Sequence, residues 1–332
     1  LNKELRYKLL KIMQTKILSP TSKLANLKKR AQIIADIRAF FAEREVLEVE
    51  TPLLGRSTAT DPHIASFAVP WLGTSGAQNV RYLQTSPEFP MKRLLSAGIG
   101  SIYQITKVFR SDEQGRWHHP EFTMLEWYRV GFNHYDLMRE VDLLLQRILK
   151  TPQAERATYA ELFERYLSIN PHLSSIQALQ ACAKKNKLTL SSDKHENRDF
   201  WLNLLMSHCI EPHLGETRPI LVMDFPASQA ALAKVRDDLP PVAERFEAYY
   251  KGIELLNGYH ELTDAEEHKR RFLADNQKRK KMGLPEIPLD EAFLQTIENM
   301  PDCAGVALGV DRLVMLALGA NLLEDVMSFV DV

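Results

Sequence analysis

Residues 246–262 read FEAYYKGIELLNGYHEL, two runs of strand-forming residues on either side of Lys251-Gly252. A turn this short predicts a β-hairpin. Its arms must run antiparallel, because a parallel partner needs a crossover of a dozen or more residues. The hairpin would bring Glu247 on one arm near Glu254 on the other. Alternation along the second arm puts Asn257, Tyr259 and Glu261 on one face, with Glu254 on the other parity.

The remaining segments fit a sheet interrupted by helices. Strand patterns occur at 101–110 (SIYQITKVFR) and 219–225 (PILVMDF). Residues 26–45 space Leu27, Ala31, Ile34, Ile37 and Phe41 as a helix, with Asn26 as its cap and Pro52 closing the region. Residues 134–150 and roughly 160–215 read as mostly helical, with breaks at Pro152, Pro171 and Pro212. That block holds few candidate site residues and reads as an inserted module. A charged helix follows (DAEEHKRRFLADNQKRKKMG), then a buried strand passing into a buried helix (GVALGVDRLVMLALGA). The expectation is a single α+β domain over 1–332.

With 45% hydrophobic residues in 332, the chain can bury a substantial core. Its 42 Lys and Arg nearly balance 43 Asp and Glu, so a net charge of −1 gives no global pull toward nucleic acid or a membrane. Cys182, Cys209 and Cys303 are far apart and form no CxxC pair, so a reducing, cytoplasmic setting is expected. No His/Cys spacing points to zinc. No apolar run approaches the roughly 18 residues of a membrane span, and the basic N-terminal stretch lacks the apolar segment of a signal peptide.

Three stretches carry candidate chemistry. In FTMLEWY, Phe122, Met124, Glu126 and Tyr128 share one face, and Thr123, Leu125 and Trp127 the other. A carboxylate among apolar neighbours needs a partner if buried; a half-exposed strand with a satisfied Glu explains the pattern equally well. Glu247 and Glu254 suit a hard cation such as Mg²⁺, or are two solvated edge carboxylates. In GVALGVDR, Gly305, Ala307 and Gly309 allow either close approach of a ligand or tight strand–helix packing.

Taken in order, these stretches resemble the motifs of a class II aminoacyl-tRNA synthetase catalytic domain. IRAFFAEREVLEVETP (37–52) resembles motif 1, the family's dimer element. FRSDEQGRWHHPEF, within 109–128, resembles motif 2. GVALGVDR, within 305–318, resembles motif 3. TSPEFPMKRLL, HHPEFTMLEWY and NGYHELTDA are similar to the lysyl branch. The resemblance implies an antiparallel sheet flanked by helices, with the helical insertion (about 150–215) between motifs 2 and 3. It implies adenylate formation from ATP with Mg²⁺, the catalytic arginines being Arg110 and Arg312. The nucleotide contacts would come from Arg110, Ser111, Asp112, His118, His119, Phe122, Glu254, Leu255, Gly309 and Arg312. Glu247 and Glu254 would hold the metal. Ser86, Pro87, Glu88, Glu126, Tyr128, Asn257, Tyr259, Glu261 and Ala307 would take a lysine. Asp112 departs from the glutamate of the motif 2 pattern, and Ala307 from the middle glycine of motif 3.

The stretch before motif 1 has no room for an anticodon-binding domain, so tRNA is not the expected acceptor. A lysyl-type core of this kind resembles the elongation factor P–(R)-β-lysine ligases, as do DFPASQAALA and RFEAYYKGIELLNGYHELTDA. The resemblance implies a homodimer that activates lysine or (R)-β-lysine and attaches it to a lysine of elongation factor P. The alternatives are a truncated lysyl-tRNA synthetase and a non-catalytic lysine-binding relative.

Overall fold

The computed structural model describes residues 20–72, 78–188 and 197–330. Its strands are β1 (Leu47–Glu48), β2 (Leu54–Gly55), β3 (Ala68–Leu72), β4 (Gln78–Leu83), β5 (Ile102–Phe109) and β6 (Glu121–Val130). They continue with β7 (Glu155–Thr158), β8 (Ile220–Pro226), β9 (Val235–Arg236), β10 (Val242–Tyr250), β11 (Ile253–His260) and β12 (Cys303–Gly309). A nine-stranded sheet runs β1-β5-β6-β12-β11-β10-β8-β7, with β9 beside β10; β2, β4 and β3 form a separate small sheet. The centre from β5 to β8 is antiparallel, including the β10–β11 pair that the hairpin fixes. Only the outermost strands differ: β1 lies parallel to β5, and β7 parallel to β8.

The β10–β11 turn adopts positive φ at Lys251 (53°) and Gly252 (71°). This is the backbone that matches strand twist in a two-residue hairpin. Helices Leu24–Ala42, His134–Leu149 and Val310–Ala317 cover one sheet face. They bury Ile37, Phe41, Leu137 and Leu313 against Leu125, Trp127, Phe246 and Val306. Phe41 stacks on Tyr103 with ring centroids 4.4 Å apart. Arg30 pairs with Asp311 at 2.6 Å, and Asp311 accepts from the Thr123 amide at 2.6 Å. That buried link ties the first helix to β6 and to the residue beside Arg312.

Some local readings change. The first helix among the described residues starts at Leu24 and its N-cap is Lys23. Asn26 does not cap it; its amide donates instead to the Asp325 carbonyl at 2.9 Å. Residues 155–158 form the edge strand β7 rather than helix. The inserted segment then runs through helices Tyr159–Leu167, Ile176–Lys185 and Arg198–Leu205, with a core of its own around Phe163, Leu179 and Trp201. Part of the expected helical block, 189–196, lies outside the described residues.

Candidate active site

The sheet face away from those three helices floors a cavity of about 310 Å³. The strand register assembles it in rows, since residues directly opposed across strands share a face. One row crosses five strands: Glu247, Asn257, Ala307, Glu126 and Gln104. The next holds Arg245, Tyr259, Gly305, Tyr128 and Ile102. The β10–β11 register then shifts: Ala248 faces Leu256, but Tyr249 faces Glu254. Leu255 is the extra residue of a β-bulge, which carries Glu254 onto the face of Glu247 and Asn257. Simple alternation assigns it to the wrong face.

At one end the cavity is acidic and closed. Glu126 is 2% exposed and accepts from Ser86 Oγ at 2.6 Å and from Tyr128 Oη at 2.7 Å. No cation pairs with it among the described residues. Burial, then the neighbouring Glu88, raise its carboxyl to about 8. Glu88 and Lys92 sit one turn apart on helix Glu88–Ser96. Lys92 is 0% exposed and bridges Glu88 and Glu261, each at 2.6 Å. Burial alone would lower the Lys92 ammonium; Glu261 and Glu88 outweigh it and hold it above its ordinary range. Burial also raises Glu261 to about 7, against the pull of Lys92. Three carboxylates thus face one ammonium. Gly305 belongs to this end by necessity: a Cβ there would lie 2.3 Å from the Tyr128 ring and 2.4 Å from Glu261 Oε1.

The other end is cationic and more open. Arg110 donates to Glu113 at 2.9 Å, and its guanidinium lies 5.2 Å from the Phe122 ring centroid. Arg312 donates to the Trp117 carbonyl (3.1 Å), the Glu254 carbonyl (2.8 Å) and His118 Nε2 (2.6 Å). Burial, then Arg312, lower the His118 imidazole. The His119 ring nitrogens lie 2.7 and 3.0 Å from the carbonyls of Glu121 and Val330. A Cβ on Gly309 would meet nothing closer than 3.8 Å, so packing does not demand that glycine; a ligand close to the backbone would.

Of the residues singled out in the sequence, sixteen line this one cavity; Pro87, Ser111, Asp112 and Glu247 do not. Asp112 is exposed and accepts from Ser111, while the next acid, Glu113, reaches Arg110. Glu247 is buried behind the surface, bonded by Arg245, Tyr249 and Asn257. Glu254 does open to the cavity. Burial, then Glu247, raise it to about 7. Glu211, from the inserted segment, is raised to about 7 by burial and then by Glu254, and accepts from Tyr249 at 3.4 Å. Sequence spacing missed Lys92 and Glu211. For Lys92 the i, i+4 step from Glu88 was the available signal; Glu211 had none. Glu247 thus raises Glu254 and Glu254 raises Glu211, a repulsion that a divalent cation would relieve, but the ligand oxygens of these three do not gather within 4.8 Å of one another in this structure.

No described helix is long and apolar enough to cross a membrane. A family model for class II tRNA synthetases (D, K and N) matches residues 2–332. An elongation factor P–(R)-β-lysine ligase of Proteus mirabilis (strain HI4320) is 50% identical over 312 residues, 93% of this chain and 96% of that relative. Ligases of the same name from Salmonella heidelberg (strain SL476) and Salmonella typhimurium (strain LT2) are each 50% identical over 318 residues, 95% of this chain and 98% of theirs. A match over almost the whole chain, on a sheet that gathers the motif residues around one cavity, means that this protein belongs to the class II tRNA synthetase family.

Proposed function

We propose that this protein is an ATP-dependent ligase that activates lysine or (R)-β-lysine as an adenylate and transfers it to a lysine side chain of elongation factor P. The observation that carries this reading is the charge pattern of one cavity. Glu88, Glu126 and Glu261 outnumber Lys92, leaving two negative charges unbalanced when all are ionised. A lysine brings two ammonium groups. Arg110 and Arg312 stand at the opposite end, where phosphates would lie. The names of the half-identical relatives agree with this chemistry.

A substrate carboxylate oxygen attacks the α-phosphorus and pyrophosphate leaves. The acceptor amine then attacks the carbonyl carbon, expels AMP and loses a proton. Such chemistry asks for positioning and charge neutralisation. Arg110 suits the α-phosphate and substrate carboxylate, because guanidinium presents a planar fork of donors. Arg312 suits the far phosphates and Phe122 the adenine. Mg²⁺, when bound, would neutralise phosphate charge; Glu254 and Glu247 would hold it, with Glu211 beside them. Ala307 lies in the row between Asn257 and Glu126. Its methyl would crowd a substrate's α-carbon and favour a β-amino acid. Association as a homodimer through 37–52, with elongation factor P as the acceptor in the cytoplasm, completes the reading.

The test is ATP–pyrophosphate exchange with α-lysine and (R)-β-lysine in parallel, followed by transfer with elongation factor P and bulk tRNA in one tube. Exchange and label on the protein are expected. Label on tRNA alone would make this a tRNA-charging enzyme. Lysine binding without exchange would leave a non-catalytic lysine-binding protein.

A further inference from the structure

On the helix-covered side of the sheet, away from the cavity, three residues distant in sequence converge. His134 opens helix His134–Leu149, Glu244 lies on β10, and His260 ends β11. Their ligand atoms all lie within 4.8 Å of one another. His134 is 1% exposed, and neither ring nitrogen has a hydrogen-bond partner among the described residues. Buried imidazole nitrogens are rarely left so. His260 places Nδ1 2.6 Å from Glu244 Oε2 and Nε2 3.0 Å from Asp302 Oδ1.

We propose that His134, Glu244 and His260 form a binding site for a zinc-class divalent cation. Two imidazoles and a carboxylate are a zinc donor set, with a fourth position left for water. Tetrahedral ligands at zinc distances stand roughly 3.3 Å apart, so Glu244 and His260 separate slightly while His134 closes in. Asp302 supplies what a metal-bound histidine usually has: a carboxylate on its other nitrogen, fixing tautomer and ring orientation. Two cations lie close, and neither fills the centre. Lys234 binds Asp302 and lies 3.2 Å from His260 Nε2, on the far side of that ring. Arg236 lies 3.9 Å from Glu244 Oε1, the oxygen turned away from His260. A bound ion would clamp the β10–β11 hairpin to the helix, behind Tyr259 and Glu261.

The probe is Co²⁺, titrated into chelator-stripped full-length protein, with Zn²⁺ as competitor. The expected result is one Co²⁺ per chain with tetrahedral visible bands, displaced by Zn²⁺. The near-ultraviolet charge-transfer band of thiolate ligation should be missing, which separates this site from one at the free cysteines. His260→Gln and Glu244→Gln, checked for folding by circular dichroism, should lose the bands. Asp302→Asn should keep them with affinity about 10–100-fold weaker. A wild-type protein that takes up neither metal overturns the proposal, as do unchanged bands in the folded variants.

Discussion

The two ends of the cavity handle charge in opposite ways. The acidic end is locked before any ligand arrives: Glu126 is held by two hydroxyls, and Lys92 is clamped between Glu88 and Glu261 with no exposure. The cationic end is provisional. The side chains of Arg110 and Arg312 are 25% and 20% exposed, and rest on a loop carboxylate, three carbonyls and a neutral imidazole. Those partners can be exchanged for phosphate oxygens at small cost. A rigid acidic end can select one amino acid, while a cationic end with replaceable partners can follow a nucleotide through reaction and release.

The most severe way to break the contrast is Lys92→Met. It leaves the buried Glu261 and the half-buried Glu88 without their cation, and breaking a buried pair typically costs about 3–5 kcal/mol. Denaturant unfolding should show a loss of that size; near-wild-type stability would mean that the acidic end is not locked by charge. At the opposite end, Arg110→Ala and Arg312→Ala should each reduce pyrophosphate exchange by about 10²–10³-fold with little change in melting temperature. Exchange at wild-type rates in both variants would remove the adenylation chemistry.

Glu126→Gln sharpens the comparison. Lysine binding, measured by calorimetry, should weaken by about 10–100-fold, the loss of one charged hydrogen bond, with nucleotide binding intact. The same carboxyl gives a pH signature. It holds its proton below about pH 8 in the empty cavity, and an ammonium group favours the ionised form. Binding therefore expels a proton, and affinity should climb with pH by up to about tenfold per unit below pH 8, then level off. Calorimetry in buffers of different ionisation enthalpy counts that proton; zero release would place the substrate ammonium elsewhere. The smallest effect on stability is expected at Gly309, the last residue of β12. Gly309→Ala meets no close protein atom and should change stability by less than about 1 kcal/mol, yet raise the KM for ATP. Gly305→Ala, driven into Tyr128 and Glu261, should destabilise the fold. Equal behaviour of the two would erase the distinction between a glycine set by packing and one set by a ligand.

Much of this was legible in the sequence because both hairpin chemistry and strand alternation are local. Lys251-Gly252 fixes an antiparallel pair, and FTMLEWY separates Glu126 from Trp127 without reference to the rest of the chain. The spacing of motif residues, read through family resemblance, reached sixteen residues that share one cavity. Local rules failed where a single residue disturbs the count. The bulge at Leu255 turns Glu254 to the cavity, and Glu113 rather than Asp112 meets Arg110.

What only the tertiary structure decided is which charges are already satisfied and which are not. Lys92 occupies two of the acids that sequence reasoning gives to a substrate, and Arg245 and Tyr249 hold Glu247. His134 and His260 come together although more than a hundred residues separate them. Sequence spacing registers neighbours a few bonds apart. The state of a buried charge depends on every group within a few ångströms, and folding brings most of those from distant parts of the chain.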